Sequence, residues 1–513
     1  MMSGLAQILS YARAGALDYA WQRFGEEGFL SEAASPIVLN VKGRLLKALA
    51  ARAPGAQRVS LFAAAASAYE SAAAIAPSSY SLINAATLYF LASDPERARS
   101  LAERTRSLVD AEPDEPETPY WRSATRAEAL LLLNREAEAR AAFAEAIALA
   151  PQAWEDHAST LRQFALILDA QGKDAAWLDA HRPPRSLHFG GHMSFDAGVS
   201  RREHLDDKIA ALLDEEKVGF GYGALAAGAD IIVAEALVGR GAELHAVLPG
   251  GAETFAAVSV DPFGTVWRQR FDALLGRAAT VRAVRPLGAP PDPETIALAD
   301  EIAMGAAAMN ARRLESHALQ LLVADADAGE RDPAGASAGW RQRVVAAPRE
   351  AAAAAAAGLP SAAHRRLALL TIRAEAGDAL AAIAAGLQGE PPAVLGPYYT
   401  GREIVVGYAG PAEAAATAVK LATEAGAAVG GHYGVAQPVR DPFGGELRIG
   451  GDAAALAAGA AASAPPGSAC VTADFAAALA ASGEARVHSE LIGELDARDG
   501  SEPVELYALK PRL

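Results

Sequence analysis

A chain of 513 residues exceeds one ordinary hydrophobic core and predicts about three domains. Its formal net charge of −16 repels a phosphate backbone, and short pairs such as Arg201-Arg202, Arg312-Arg313 and Arg365-Arg366 read as solvated helix faces, which excludes nucleic acid as a partner. The single cysteine, Cys470, excludes an intrachain disulfide and a multi-cysteine metal site.

Met1 to Ala20 carries no basic segment ahead of an apolar one, and no run of about 18 strongly apolar residues follows anywhere, so a cytoplasmic chain without a membrane span is expected. From the start to Pro184 the pattern is helix after helix, with small residues at helical spacing. Phe62–Pro77 (FAAAASAYESAAAIAP) and Glu138–Pro151 (EARAAFAEAIALAP) share an aromatic among alanines and an apolar-Ala-Pro ending, with Arg97–Pro113 between them. Pro77, Pro113 and Pro151 stand roughly 36 and 38 residues apart, near the 34-residue helix-turn-helix unit. Small residues let paired helices approach, and the proline ends each second helix. Residues 1–184 therefore resemble a tetratricopeptide array, which implies a concave surface for a protein partner; an irregular helical bundle is the alternative.

Residues 185–345 change to strands alternating with helices. Ser186–Phe189 ends in Gly190-Gly191-His192, a helix is expected over His204–Glu215, and Val218–Tyr222, a helix over Asp230–Arg240 and Glu243–Leu248 make one parallel βαβ unit. A helix opening at Asp292-Pro293-Glu294 and a strand over Leu319–Asp325 continue a doubly wound Rossmann-like α/β sheet. Two glycine-bearing loops leave strands and enter helices, where free N–H groups favour phosphate: Gly190-Gly191-His192, and Gly223 through Gly228 to Asp230. With GYGALAAGADIIVAEALVGRGAELHAVLP, these features resemble the SLOG superfamily of nucleotide-binding domains. The resemblance implies that Gly190, Gly191, Gly223 and Gly228 cradle phosphate or ribose of a nucleotide-type ligand, with His192 and Asp230 adding polar contacts. Asp230 reads equally as a helix cap. Glu235 reads as a solvated helix residue, and His188 with His192 brackets a corner unsuited to zinc. Pro249-Gly250-Gly251 lacks the Gly-Thr pair of phosphoribohydrolase relatives, which favours sensing over hydrolysis.

Ala326 to Ala363 holds a Gly/Pro/Ala-rich piece, an expected helix near Trp340 and the run Ala351–Ala357, and residues 346–363 read as a linker. Beyond it, Gly451–Ala458, Ala464–Thr472, and Leu491–Leu495 through Ser501–Tyr507 resemble, in family order, a class III adenylate/guanylate cyclase homology domain over residues 364–513, an α+β ferredoxin-like fold. In that family two carboxylates hold two metal ions. Here the first falls on Thr371 or its neighbour in Leu367–Ile372, and the second on Arg402 after Gly401. The transition-state Asn and Arg fall on Ala455 and Gly459, and the purine-reading Lys on Tyr398. Asp452 remains, read as the cap of an Ala453–Ala462 helix. The resemblance thus implies a silent cyclase domain with no catalytic residue and no metal, left to dimerise or regulate. The whole chain reads as a non-catalytic regulator that binds a nucleotide-type ligand without a fixed cofactor. The alternatives are a nucleotide-processing N-glycosidase or phosphoribohydrolase-like enzyme in the middle domain, or a scaffold without a ligand.

Overall fold

The computed structural model describes residues 2–111, 118–193, 204–284, 290–324, 340–347, 364–374, 377–387, 393–440, 447–449, 451–495 and 503–512. Two compact units result: Met1–Pro183 with Arg313–Glu315, and Pro184–Arg312 with Ser316–Arg512.

The first unit contains α1 (Met2–Arg13), α2 (Leu17–Glu26), α3 (Pro36–Arg52), α4 (Gly55–Ile75), α5 (Ser79–Leu91), α6 (Pro95–Ala111), α7 (Pro119–Leu132), α8 (Glu136–Leu149) and α9 (Trp154–Ala170). Three hairpins, α3/α4, α5/α6 and α7/α8, repeat one design. Their first helices start at Ser35, Ser78 and Thr118, whose hydroxyls accept the N–H of Val38, Ser81 and Trp121. Gly43 of α3 lies under the ring of Tyr69, so a methyl group there would come 2.7 Å from the ring and α4 could not sit so close. Pro77 and Pro151 follow α4 and α8; Pro113 lies outside the described residues. Polar bonds join neighbouring first helices: Ser81 of α5 donates to Asn40 of α3, Thr87 of α5 donates to Glu128 of α7, and the hydroxyls of Tyr120 on α7 and Thr160 on α9 meet. The first helices α3, α5, α7 and α9 begin at Pro36, Ser79, Pro119 and Trp154, so the spacing shortens from 43 to 40 to 35 residues, approaching the 34-residue tetratricopeptide unit.

The second unit holds two main sheets. The first is wholly parallel, in the order β4-β3-β2-β1-β5-β6, from β1 (Arg185–Gly191), β2 (Val218–Gly223), β3 (Glu243–Leu248), β4 (Thr280–Ala283), β5 (Ala318–Ala324) and β6 (Arg341–Ala346). Between these strands run α10 (Leu205–Glu215), α11 (Ala229–Gly239), α12 (Ala252–Ser259), α13 (Thr265–Leu275) and α14 (Pro293–Arg313). Leu187 and Phe189 of β1 are buried in one apolar core with Ile209, Ile231, Phe255 and Phe271, so α10 to α13 cover one face. Burial of each such side chain favours the fold by about 1.5–3 kcal/mol. Strands 2 to 4 grow to one side of β1 and strands 5 and 6 to the other, so the order reverses between β1 and β5.

The segment after Trp340 corrects the expected helix: it is strand β6, paired in parallel with β5. Val344-Val345 favours extended backbone, and the open edge of β5 offers a ladder that a short isolated helix cannot match. The alanine run Ala351–Ala357 lies outside the described residues.

The second sheet is mixed, in the order β14-β15-β13-β10-β7-β9-β8. Its elements are β7 (Arg365–Arg373), α15 (Gly377–Gly386), β8 (Leu395–Thr400), β9 (Glu403–Tyr408), α16 (Pro411–Ala425), β10 (Ala428–Ala436), α17 (Asp452–Ser463), β13 (Ser468–Thr472), α18 (Ala473–Ala481), β14 (Val487–Leu495) and β15 (Val504–Pro511). A separate small hairpin pairs β11 (Pro438–Arg440) with β12 (Leu447–Ile449). β7 lies antiparallel between β9 and β10, which gives the interleaved βαββαβ order of a ferredoxin-like fold. At Gly430 of β10 a methyl group would come 2.0 Å from the Ala461 nitrogen, so this glycine lets α17 lie directly on the sheet.

Candidate functional site

In an open parallel sheet, ligands gather beyond the carboxyl ends of the strands where the order reverses. Here that point is the corner formed by Gly190–His192 after β1, beside Val323 of β5. Glycine is required by contact: a methyl group on Gly191 would come 2.5 Å from both the Ala229 methyl and the Val323 carbonyl, and one on Gly223 would come 2.7 Å from the Phe189 carbonyl. Gly228, at φ +110°, faces the His192 carbonyl at 2.8 Å from its would-be methyl.

The corner is tied by its own polar groups. The Ala229 N–H donates to the His192 carbonyl (3.2 Å), the His192 N–H to the Val323 carbonyl (3.4 Å), and His192 Nε2 lies 3.1 Å from the Ala347 carbonyl. The structure thus brings Gly191, His192, Gly228 and Asp230 together, with Gly190 at the rim and Gly223 beneath. His192 is buried at 8% exposure, its Nε2 held by β6's exit.

Asp230 staples both loops, accepting N–H bonds from Ala226 (3.2 Å) and Gly191. The cap position of α11 is Gly228, so Asp230 sits one place further in, within the first turn. Burial pushes its carboxyl up to about 7, and the negative charge of Asp300 adds to the rise; the two N–H bonds and His188 oppose it. Glu235 of the same helix pairs with Arg270 at 2.6 Å.

One register of the sheet carries a polar row that strand-by-strand reading missed. Thr280, His245, Tyr222, His188, Gln320 and Gln342 stand opposite one another on β4, β3, β2, β1, β5 and β6. Gln342 donates to Gln320 Oε1 (2.8 Å), and Gln320 donates to His188 Nδ1 (3.2 Å). That leaves the proton on Nε2, which donates to Asp300 Oδ1 of α14 at 3.0 Å. At the other end His245 Nδ1 and Thr280 Oγ1 lie 2.9 Å apart, and the His245 and Tyr222 rings stack at 4.5 Å. Asn310 of α14 donates to Ser186 on the same face of β1. Fully buried His188 thus links the row to a carboxylate that is 62% exposed. The signal available in the sequence was a polar residue at one alternate position in otherwise apolar strands.

Helix α14 faces the mixed sheet as well. Glu301, next to Asp300, accepts from Tyr433 (2.8 Å) and pairs with Arg366, which also holds Glu294 at 2.9 Å. At Gly305 a methyl group would come 1.8 Å from the Ala477 carbonyl of α18. Arg282 of β4 pairs with Asp474 of α18.

In the mixed sheet, Thr371 is 1% exposed in the centre of β7, opposite Gly430 and Val405. Arg402 is exposed in the β8–β9 turn, after Gly401 at φ +71°. The Tyr398 hydroxyl accepts the Ile449 N–H at 3.2 Å, and Arg448 lies over its ring at 5.6 Å. Ala455 and Gly459 lie on α17, where a methyl group at Gly459 would come 2.8 Å from Leu495. The cap of α17 corrects the sequence reading: Gly451, at φ +90°, holds the cap position, Asp452 is the first helical residue, and among the described residues no side-chain capping bond is made. The Asp452 charge in the first turn favours the helix through the dipole instead. Among the described residues no three His, Cys, Asp or Glu side chains are grouped to hold a metal ion, and no helix is long and apolar enough to cross a membrane.

No family model matches the chain, and no curated protein matches it. Solved structures similar to part of it include adenylate cyclases from Trypanosoma brucei in their monomeric state, at 17% identity over 29% of this chain and 90% of that one, with a TM-score of 0.26. The adenylyl cyclase CyaB from P. aeruginosa is 13% identical over 29% of this chain and 94% of that one, with a TM-score of 0.23. An adenylate/guanylate cyclase/hydrolase from Silicibacter pomeroyi is 17% identical over 29% of this chain and 99% of its own, also with a TM-score of 0.23.

Proposed function

We propose that the protein is a non-catalytic regulator that binds a nucleotide-type ligand at the β1/β5 corner. The observation that carries this reading is the close meeting of Gly191, Gly228 and the start of α11 where the strand order reverses, beside Asp230 and the His188–Asp300 pair. Residues 185–345 form the ligand domain in this reading, and residues 1–184 recruit a protein partner through their stacked hairpins. Residues 364–513, after a linker at 346–363, form a cyclase-like domain that pairs or regulates. Two-metal cyclisation requires carboxylates, and the positions that the sequence resemblance gives them hold a buried threonine and an exposed arginine. Helix α14 supplies a route between ligand and cyclase-like domain, since adjacent Asp300 and Glu301 hold one sheet each.

A thermal-shift panel of nucleotides on the full chain tests the reading: a raised melting temperature is expected, and a smaller rise in Gly228→Val, where the β-branched side chain meets the His192 carbonyl; an undiminished rise in that variant would remove the corner as a ligand site. An unmoved melting temperature with every nucleotide would favour a ligand-free scaffold. One observation favours a second reading, a hydrolase in the same corner: the Asp230 carboxyl near neutrality beside Asp300 and His188 suits general acid–base work. Free base or ribose phosphate after overnight incubation would establish it.

A further inference from the structure

The amino ends of the parallel strands, far along β1 and β5 from the corner, open into a cavity of about 560 Å³ that no part of the reading above uses. Four arginines line it: Arg185 and Arg341 at the starts of β1 and β6, Arg312 at the end of α14, and Arg512 after β15. Trp340, partly exposed, is in the same wall. In a chain of net charge −16, such a concentration of cations needs an account.

Internal pairing covers only part of this charge. Arg185 and Arg341 share one carboxylate, Glu216, which is buried behind them at 1% side-chain exposure and also meets Arg343 at 3.4 Å. The one acidic residue in the wall, Glu484, is engaged by Arg486 at 3.0 Å. Among the described residues neither Arg312 nor Arg512 has a carboxylate partner. Burial holds the Arg312 guanidinium below its usual range, and the charge of Arg512 in the same wall lowers it further. Guanidinium groups set in this way match phosphate oxygens through paired N–H donors, and an indole face stacks on a planar base.

We propose that this cavity is a second ligand site, for a nucleoside polyphosphate whose phosphates lie between Arg312, Arg512, Arg185 and Arg341 and whose base stacks on Trp340. The volume lies within the range of ordinary small-molecule sites. Because the wall draws on both sheets' domains, a ligand there clamps the end of β15 against the end of α14 and β6.

Isothermal titration of the full chain carrying Gly228→Val, which closes the β1/β5 corner, isolates the site. The expected result is that ATP or GTP binds, adenosine does not, and inorganic tripolyphosphate binds more weakly than the nucleotides. Arg312→Ala with Arg512→Ala removes both guanidinium groups and should weaken nucleotide binding at least tenfold, as should Arg312→Gln alone in part. Trp340→Leu should bring the nucleotides down to the level of tripolyphosphate. Nucleotide affinity unchanged in the double-arginine variant overturns the proposal, as does a complete absence of nucleotide binding with the corner closed. Equal affinity for tripolyphosphate and nucleotide before and after Trp340→Leu removes the stacked base.

Discussion

Replacing Gly305 by alanine tests whether α14 joins the parallel sheet to the mixed sheet. The added methyl would stand 1.8 Å from the Ala477 carbonyl oxygen, 2.3 Å from its carbon and 2.8 Å from its Cα, all backbone atoms of α18 that no side-chain rotation can move. Ordinary contact would require α14 and α18 to separate by about 1.5 Å, and overpacking of that kind costs about 1–3 kcal/mol. Helix propensity works the other way, favouring alanine by about 1 kcal/mol, so the net loss should be about 0–2 kcal/mol in overall stability, with Arg366–Glu301 and Arg282–Asp474 loosened alongside. Gly239→Ala supplies the comparison, since that glycine is exposed on α11 with nothing within 4 Å of an added methyl, and it should gain up to about 1 kcal/mol. Urea unfolding followed by circular dichroism reads both variants. Identical gains in the two proteins would refute the close crossing of α14 and α18, and with it the route from Asp300 to the mixed sheet.

Asp230 should make stability depend on pH. Its folded carboxyl stands at about 7, against about 3.9 in an unfolded chain, so the folded state holds the proton longer and its stabilising contribution, complete below pH ~4, is lost as pH rises to about 7. The span corresponds to about 4 kcal/mol as an upper figure. Asp230→Asn should flatten this slope and exceed the parent protein in melting temperature at pH 8, and an unchanged slope in a pH series of melting curves would refute the assignment. Tyr398→Phe, which removes the acceptor of the Ile449 N–H, should cost about 1 kcal/mol in urea unfolding while leaving nucleotide affinity unchanged; lost affinity would give Tyr398 a ligand role.

The parallel sheet was legible because its strands are short apolar runs separated by helices, and Glu243–Leu248 falls at the bounds its pattern suggests. The helix pairs were legible from small residues and terminal prolines, but their length was not. Their first helices begin at Pro36, Ser79, Pro119 and Trp154, 43, 40 and 35 residues apart, a drift that prolines placed after the second helices do not encode. Segment 341–346 was misread because its strand state comes from the neighbouring β5, a partner distant in sequence. The glycine corner was visible as a motif, yet the His188 connection was not. His188, Gln320 and Gln342 become neighbours only through strand register, and Asp300 reaches them from a helix more than 100 residues away. Asp452 was assigned a capping bond because aspartate is the commoner cap, whereas the backbone there needs the positive φ that Gly451 supplies.

Calorimetric titration of the full chain with ATP and GTP in the presence of Mg²⁺, followed by chromatography of the same cell contents after overnight incubation, reads binding and turnover together. A saturating heat with the nucleotide recovered intact is the result expected of the proposed regulator, in which the sequence resemblance puts Thr371 and Arg402 at the positions of metal-holding carboxylates. Cyclic nucleotide, free base or ribose phosphate in the recovered mixture would contradict it.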